Sequence, residues 1–357
     1  MDSPDSLNSM DSLTQVVLGS SVGYAVLGNK VGRKAAIYGA ILGTLPDLDV
    51  FLPYGGEVEA FTYHRGFSHS LLVHFLISPF IVWLITQCHQ GTAVYKKHWF
   101  WLVFLCLSTH GILDSFTVYG TQLLWPITEY PFAVSNLFII DPIYTLPLLL
   151  AFVVVWLPNI KSTHASKINI IALITSSLYV CWSLVAKTYI DQKVEAALND
   201  RQIKAEHYLS TPAPLSTLLW RVLVMSDGHY YEGYVSVFDS ASDVSLDAYK
   251  TSNFLLENIK DEWDVQRLQW FTKGFYSITQ QKQNIVLSDL RMGAECSYVF
   301  NFIVAKHTNT GMVVSDVEKY SVRPQLSQLG GIWKRIWDPS VSLAPDKKNG
   351  VCALGGN

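Results

Sequence analysis

Two short stretches of this chain concentrate the side chains that most often bind divalent metals. The first, TLPDLDVFLPYGGEVEAFTYHRGFSHS at residues 44–70, contains Asp47, Asp49, His64 and His69. The second, THGILDSFTVYGT at residues 109–121, adds His110 and Asp114. Carboxylate oxygens and imidazole nitrogens are the usual ligands of a catalytic divalent metal. If the fold brings the two stretches together, we expect a metal centre there.

The histidines of the first stretch are predicted to be metal ligands. A lone histidine is more often structural, but His64 and His69 lie within six residues at the start of an apolar segment, and this pairing favours ligation. Arg65 follows His64 directly and could clamp a phosphate oxygen with its two-pronged guanidinium, so we predict a catalytic role for it. The alternative for Arg65 is an anchor at a membrane interface.

The two aspartates of the first stretch remain open between two roles. Aspartates beside a proline, here Pro46, are commonly turn or capping residues. The functional interpretation makes Asp47 and Asp49 catalytic, because either could bridge a second metal or act as a general base. Their position at the end of an apolar segment, near several histidines, favours this second interpretation.

The second stretch predicts a two-ligand arm on one helix. His110 and Asp114 are four residues apart, so both project from the same helical face. Either both bind the metal, or Asp114 orients His110 by accepting a hydrogen bond from it. Ionisable side chains in an apolar segment are costly and face a protein interior or a wet cavity. We therefore predict His110 and Asp114 as metal ligands.

The composition divides the chain into an apolar and a polar part. Half of its 357 residues are hydrophobic and 15% are charged, against roughly a quarter charged in soluble domains. The apolar pattern predicts about six hydrophobic helices, the first two short, near residues 13–27, 35–45, 70–86, 98–116, 137–157 and 168–190. The predicted fold is a tail at 1–12, an α-helical membrane domain at 13–190 and a small soluble α+β domain at 191–357.

Lysine and arginine predict how these helices are oriented. Basic residues gather in alternate connections, at 30–34, 96–97 and 161–167, and the positive-inside rule assigns these connections to the cytoplasm. The predicted ligands and the carboxy-terminal domain then lie on the outer side. The chain is thus predicted to be a multi-pass inner-membrane protein with a periplasmic carboxy-terminal domain. Its net charge of −3 and the lack of a basic stripe argue against nucleic-acid binding.

Local patterns add three further expectations. The pairs Gly19/Gly23 and Gly39/Gly43 have the four-residue spacing that lets helix backbones approach closely. Asp227-Gly228 lies between two apolar runs and predicts a β-hairpin. In the same part of the chain, Cys296 and Cys352 could form a disulfide if this domain faces an oxidising space.

Several of these motifs, in this order, resemble a known family. They are MDSLTQVVLG (10–19), GRKAAIYGAILGTLPDLDVF (32–51), HRGFSHS (64–70) and HGILDSFTVYGT (110–121). Together they are similar to the YdjM-like family of bacterial inner-membrane metal-dependent hydrolases, over about residues 10–190. The resemblance implies an integral inner-membrane protein with metal-dependent hydrolytic activity. By motif position it carries over Asp47, Asp49, His64, His69, His110 and Asp114 as site residues.

The leading functional hypothesis is a membrane-bound hydrolase that uses one or two divalent metals. Mixed histidine and aspartate ligands favour zinc, with manganese or iron as alternatives. Because the predicted site opens at the lipid boundary, the expected substrate is lipid-like and amphipathic, with a phosphate as the expected target of Arg65. Two other classes remain open: a transporter or ion or proton channel using buried histidine and aspartate, and a membrane-anchored binding module.

Overall fold

The computed structural model describes residues 5–158, 160–308, 311–322, 329–345, 347–348 and 351–352. The chain divides into two compact units. One comprises Met1–Pro53 and Tyr63–Leu184, and the other comprises Tyr54–Thr62 and Val185–Asn357. The second unit therefore includes a short piece taken from between the two halves of the first predicted ligand stretch.

The helices and strands follow in this order along the chain. The helices are α1 (Asp5–Val31), α2 (Arg33–Leu42), α3 (Glu57–Tyr63), α4 (Leu71–Cys88), α5 (Lys96–Ser115), α6 (Pro142–Trp156), α7 (Ser162–Asp200), α8 (Trp263–Phe271) and α9 (Leu329–Trp337). The strands are β1 (His207–Pro212), β2 (Leu219–Ser226), β3 (His229–Ser236), β4 (Ser245–Lys250), β5 (Tyr276–Gln281), β6 (Asn284–Asp289), β7 (Phe300–Thr308), β8 (Gly311–Tyr320), β9 (Lys347–Lys348) and β10 (Val351–Cys352). A helical amino-terminal region followed by a β-sheet-rich domain confirms the predicted order.

Helices α1 and α2 cross at their glycines, as the four-residue spacing predicts. A Cβ atom added to Gly19 would lie 2.2 Å from the carbonyl oxygen of Gly39, and one added to Gly43 would lie 2.5 Å from the carbonyl oxygen of Gln15. Only glycine permits this approach of the two backbones. The crossing matters for the site because it fixes the end of α2, from which the first ligand stretch begins.

The predicted count of six membrane-crossing helices is not confirmed. Among the described residues, two helices, α4 and α7, are long and apolar enough to cross a membrane. Helices α2 and α6 have 10 and 15 residues, fewer than the roughly 20 that span the hydrocarbon core. The first helix is longer than expected, since α1 has 27 residues and extends into polar sequence at both ends.

Two further boundaries differ from the expected segments for local reasons. Helix α6 begins at Pro142 because Asp141 caps it, with Oδ1 accepting from the backbone N–H of Ile143 at 2.9 Å and of Tyr144 at 3.3 Å. Helix α7 continues to Asp200 without a break, so it extends ten residues beyond the predicted apolar segment at 168–190.

The β-rich unit contains two four-stranded antiparallel sheets, ordered β1-β2-β3-β4 and β5-β6-β7-β8. The predicted hairpin is confirmed, because Ser226 pairs with His229 across the Asp227-Gly228 turn. In its core the carboxy-terminal part of α7 packs Ile190 and Val194 against Trp220 of β2. Cys296 is disulfide-bonded, and the side chain of Cys352, its expected partner, lies outside the described residues.

Candidate metal centre

Four of the candidate residues converge in the helical unit. They are Asp47, His69, His110 and Asp114, and one ligand atom from each lies within 4.8 Å of all the others. His69, His110 and Asp114 are buried, and Asp47 is partly exposed. The two ligand stretches therefore meet, and the cluster could bind a metal ion.

The distances that involve the two imidazole nitrogens of this cluster are nearly uniform. The Nε2 atoms of His69 and His110 are 3.0 Å apart. Asp47 Oδ1 lies 3.4 Å from the first of these nitrogens and 3.3 Å from the second. Asp114 Oδ2 lies 3.1 Å and 3.5 Å from the same two atoms. Metal–ligand bonds of about 2.0–2.1 Å in a tetrahedral zinc site place ligand atoms roughly 3.3–3.4 Å apart, so the cluster has the dimensions of such a site.

The hydrogen bonds on the far side of each imidazole aim its Nε2 at the cluster. His110 Nδ1 donates to the carbonyl oxygen of Gly43 at 2.7 Å. Ser68 Oγ donates to Asp49 Oδ2 at 2.5 Å, so it accepts the hydrogen of His69 Nδ1, 2.9 Å away. Nε2 of each ring therefore faces the other ring and the two carboxylates. Such outer hydrogen bonds are typical of metal-binding histidines.

Two short turns and helix α5 position the four candidate ligands. Asp47 lies in a 3-10 turn, Pro46–Phe51, directly after α2, and His69 lies in another, Phe67–His69, directly before α4. His110 and Asp114 share one face of α5. A Cβ atom on Gly111 would lie 2.9 Å from the carbonyl oxygen of His69, so this glycine allows α5 to approach the second turn closely.

The surroundings of Asp47 lower the pKa of its carboxyl group, and those of Asp114 fix the orientation of its carboxylate. Burial alone would raise the pKa of the Asp47 carboxyl, but the charge of His110 and hydrogen bonds with His110 and His69 hold that pKa well below its usual range. Gln15 Nε2 of α1 donates to Asp114 Oδ1 at 2.8 Å, inside the protein, which leaves Oδ2 facing the histidines. Both carboxylates are therefore set up as anionic donors.

Arg65 lies beside the cluster in a backbone conformation that favours glycine. Its φ is +61°, and its backbone N–H donates to Asp49 Oδ2 at 3.0 Å. Its Nε is 3.3 Å from Asp114 Oδ2, and its guanidinium lies 5.3 Å from the ring centre of Tyr119. A left-handed arginine persists only where its surroundings enforce it, and such strain is characteristic of functional sites.

Asp49 and His64 form a separate pair next to the four-residue cluster. His64 Nδ1 is 2.7 Å from Asp49 Oδ1, and the rings of His64 and His69 are 6.2 Å apart. Burial alone would raise the pKa of the Asp49 carboxyl, but the hydrogen bond and charge of His64 and the charge of His69 lower it. The ionised carboxylate orients His64, whose side chain is 24% exposed.

The structure thus places the predicted site residues in two groups. Asp47, predicted to be catalytic, lies with the candidate ligands His69, His110 and Asp114. His64, predicted to be a ligand, lies instead with Asp49 and Arg65 at the edge of that cluster. Three contributors were absent from the sequence-based prediction: Gln15, Ser68 and the Gly43 carbonyl group. Only Gln15 carries a recognisable signal, a polar amide in the otherwise apolar TQVVLG run of α1.

The fold and the cluster define a helical membrane-protein unit with a candidate metal centre, joined to a β-rich domain. A family model described as YdjM inner membrane protein matches residues 10–190, which include every residue of both groups. The chain belongs to the YdjM inner membrane protein family. This membership indicates an inner-membrane location.

Two relatives have been compared with the chain. It is 26% identical to the Bacillus subtilis (strain 168) protein named "Uncharacterized protein YfhP" over 252 residues, which cover 66% of this chain and 73% of that protein. It is 33% identical to "Inner membrane protein YbcI" of Escherichia coli (strain K12) over 110 residues, which cover 30% of this chain and 62% of that protein. No solved structure matches.

Proposed function

We propose that this protein is a membrane-bound metal-dependent hydrolase acting on a phosphate-containing amphipathic substrate. The observation that carries this proposal is the cluster of Asp47, His69, His110 and Asp114, in which the two imidazole nitrogens lie 3.0–3.5 Å from each other and from both carboxylate oxygens. Two imidazole nitrogens and two carboxylate oxygens at this spacing favour zinc, with manganese or iron as alternatives. When bound, such a metal lowers the pKa of water toward neutrality and polarises the bond to be cleaved.

The Asp49–His64 pair supplies the proton-transfer group in this proposal. In its neutral form, His64 donates from Nδ1 to Asp49, so its Nε2 carries the lone pair and can accept a proton from an attacking water. Among the described residues no other hydrogen bond to His64 competes for that nitrogen. In hydrolases with a catalytic triad, a buried carboxylate orients the catalytic histidine in the same way.

Arg65 supports a phosphate as the group acted on. Its guanidinium lies within 3.3 Å of Asp114 Oδ2, so it borders the cluster and carries a planar fork of donors suited to phosphate oxygens. A positive charge there would also offset the negative charge of a phosphate approaching two carboxylates. Arginine in this position therefore favours a phosphoester over an amide or glycoside.

The surface of the helices supports a membrane domain that includes α1, α2 and α4–α7. Leu76 of α4 is 66% exposed and Leu178 of α7 is 64% exposed, as expected for helices that face lipid. We further propose that the β-rich unit is periplasmic. The disulfide at Cys296 is typical of an oxidising compartment, and the basic connections at 30–34, 96–97 and 161–167 favour the same orientation.

The proposal is tested by a hydrolysis screen of the purified full-length protein in detergent. Phosphatidic acid and a lipid-linked diphosphate serve as substrates, and a matched neutral ester serves as the comparison. We expect release of phosphate or a phosphate monoester, its loss with a chelator, its recovery with Zn²⁺, and a large fall in His64→Ala.

Two results would contradict the proposal. One is metal binding without hydrolysis of any phosphate-containing lipid. The other is chelator-sensitive ion or proton flux in proteoliposomes in the absence of hydrolysis, which would favour a transporter instead.

A further inference from the structure

The short helix α3 lies in sequence between the two halves of the candidate site, yet it folds as part of the β-rich unit. Asp49 and His64 are 15 positions apart, and Tyr54–Thr62 between them groups with Val185–Asn357. The segment that connects Asp49 to His64 is thus part of the β-rich unit, although the rest of that unit begins more than a hundred residues later in the sequence.

Phe61 packs α3 against the rest of the β-rich unit. It is 2% exposed, and its ring centre lies 4.9 Å from that of Phe271, 4.8 Å from that of Phe300 and 5.0 Å from that of Phe302. Aromatic rings at these separations attract one another beyond the effect of burial alone. Three rings from α8 and β7 therefore enclose one side chain of α3.

Two polar contacts fix the same helix in position. The hydroxyl of Thr62, which is fully buried, accepts from Arg267 Nε at 3.1 Å. At the other end of α3, Glu57 is paired with Lys319 at 3.1 Å. The apolar contact of Phe61 and the buried hydrogen bond of Thr62 therefore hold the end of α3 within the β-rich unit, and the Glu57–Lys319 pair adds a contact on the surface.

The chain that leaves Thr62 reaches the site immediately. His64 and Arg65 follow by two and three residues, and Arg65 has the unfavourable φ of +61°. Such a conformation persists only where its neighbours enforce it. On the downstream side, the backbone N–H of Gln122 donates to the Arg65 carbonyl oxygen at 2.9 Å. Asp49 holds the same segment through the backbone N–H of Arg65 and the ring of His64, and α3 holds the chain immediately before it.

We propose that the β-rich unit sets the geometry of the metal centre by holding α3, with Phe61 as the positioning residue for His64 and Arg65. The inference rests on the proposed metal centre. It gives the carboxy-terminal domain a role in the same reaction, because release of α3 frees the connection between Asp49 and His64 and lets Arg65 relax away from Asp114.

The test compares Phe61→Ala with Phe275→Ala in the full-length protein. Phe275 is also a buried phenylalanine of the β-rich unit, and the ring it contacts is that of His207. After removal of metal, each protein is titrated with Co²⁺, and the dissociation constant and the visible absorption spectrum are recorded. Because Arg65 Nε lies 3.3 Å from Oδ2 of the candidate ligand Asp114, we expect Phe61→Ala to bind Co²⁺ about 10-fold more weakly, the size typical of losing an outer support of a metal ligand, with an altered spectrum. Phe61→Leu should recover most of the affinity, and Phe275→Ala should match the wild type.

A second measurement is independent of metal binding. Amide hydrogen exchange across residues 63–70 of the metal-free proteins should be faster in Phe61→Ala than in the wild type, with β2 and β3 still protected. Equal exchange in the two proteins, or equal acceleration by Phe275→Ala, would overturn the proposal. If the wild type binds no Co²⁺, the proposed function fails, and the exchange experiment still decides whether α3 positions this segment.

Discussion

Buried charged groups are arranged differently in the two units of this protein. In the β-rich unit buried guanidinium groups meet carboxylates one to one, as in Arg221 with Glu232 at 2.6 Å, Arg291 with Asp289 at 2.7 Å and Arg335 with Asp239 at 2.7 Å. In the helical unit, two carboxylates and two imidazoles direct potential ligand atoms toward one point. A closed ion pair satisfies itself, whereas four groups that converge in this way could bind a metal ion.

This difference separates structural charge from ligand chemistry. Arg335 and Asp239 form a two-pronged pair, with NH1 to Oδ1 at 3.1 Å and NH2 to Oδ2 at 2.7 Å, which joins α9 to the end of β3. Such a pair holds elements together and is costly to break. The cluster of the helical unit joins turns and helices too, but its four groups converge on one point where a metal ion could bind.

The largest expected effect is loss of the metal in His110→Ala. Removing one of two imidazole donors leaves three ligand atoms and opens the position that faces His69. We expect purified wild-type protein to contain about one metal ion per chain and His110→Ala to contain almost none, because tetrahedral sites depend on all of their protein ligands. Elemental analysis of both proteins measures this directly.

The matched control for that experiment is His229→Ala. His229 begins β3 and its Nδ1 contacts the carbonyl oxygen of Asp227 at 3.2 Å, on the surface. Its removal should leave the metal content unchanged. An equal metal content in His110→Ala and the wild type would show that the four-residue cluster does not bind metal. The cluster would then be structural, like the ion pairs of the β-rich unit.

Sequence alone could predict that His69, His110 and Asp114 lie close together, because residues at the ends and faces of neighbouring apolar segments must meet at one level. It could not predict which of Asp47 and Asp49, or of His64 and His69, would face the cluster. That choice depends on two 3-10 turns, Pro46–Phe51 and Phe67–His69. In such tight turns a shift of one residue redirects a side chain by about a third of a turn.

The packing of α3 could not be predicted from its local sequence either. The segment EVEAFTY is short, and no pattern in it indicates which element it packs against. Phe61 is buried by rings at positions 271, 300 and 302, so the information lies in tertiary packing more than two hundred residues away. By contrast, the β2–β3 hairpin and the α1–α2 crossing depend on neighbouring glycines and were predictable.

The second expected effect concerns the stability of the β-rich unit. Arg335→Met leaves the Asp239 carboxylate buried without its guanidinium, and breaking a buried pair in this way costs roughly 3–5 kcal/mol. The decrease should appear as lost hydrogen-exchange protection in β2 and β3. The double variant Arg335→Met/Asp239→Asn removes the isolated charge and should recover most of this stability. Metal content should stay at the wild-type level as long as α3 remains packed on α8 and β7. A loss of metal in the double variant, once its stability has recovered, would contradict a purely structural role of this pair.

The smallest expected effect tests the outer support of the centre. Gln15 is buried, and its Nε2 donates to Asp114 Oδ1 at 2.8 Å, which keeps the other oxygen directed at the histidines. Gln15→Leu preserves the volume and removes this donor, so we expect about 10-fold weaker Zn²⁺ binding, with little change in folding.

Thr14→Val is the matched control on the same helix, because Thr14 Oγ1 shares its hydrogen bond with Thr145 Oγ1 at 2.9 Å and not with a ligand. Its Zn²⁺ affinity should equal that of the wild type. If both variants weaken binding equally, the effect comes from the packing of α1. If neither does, Asp114 holds its orientation without Gln15, and the centre is organised by α5 and the two turns alone.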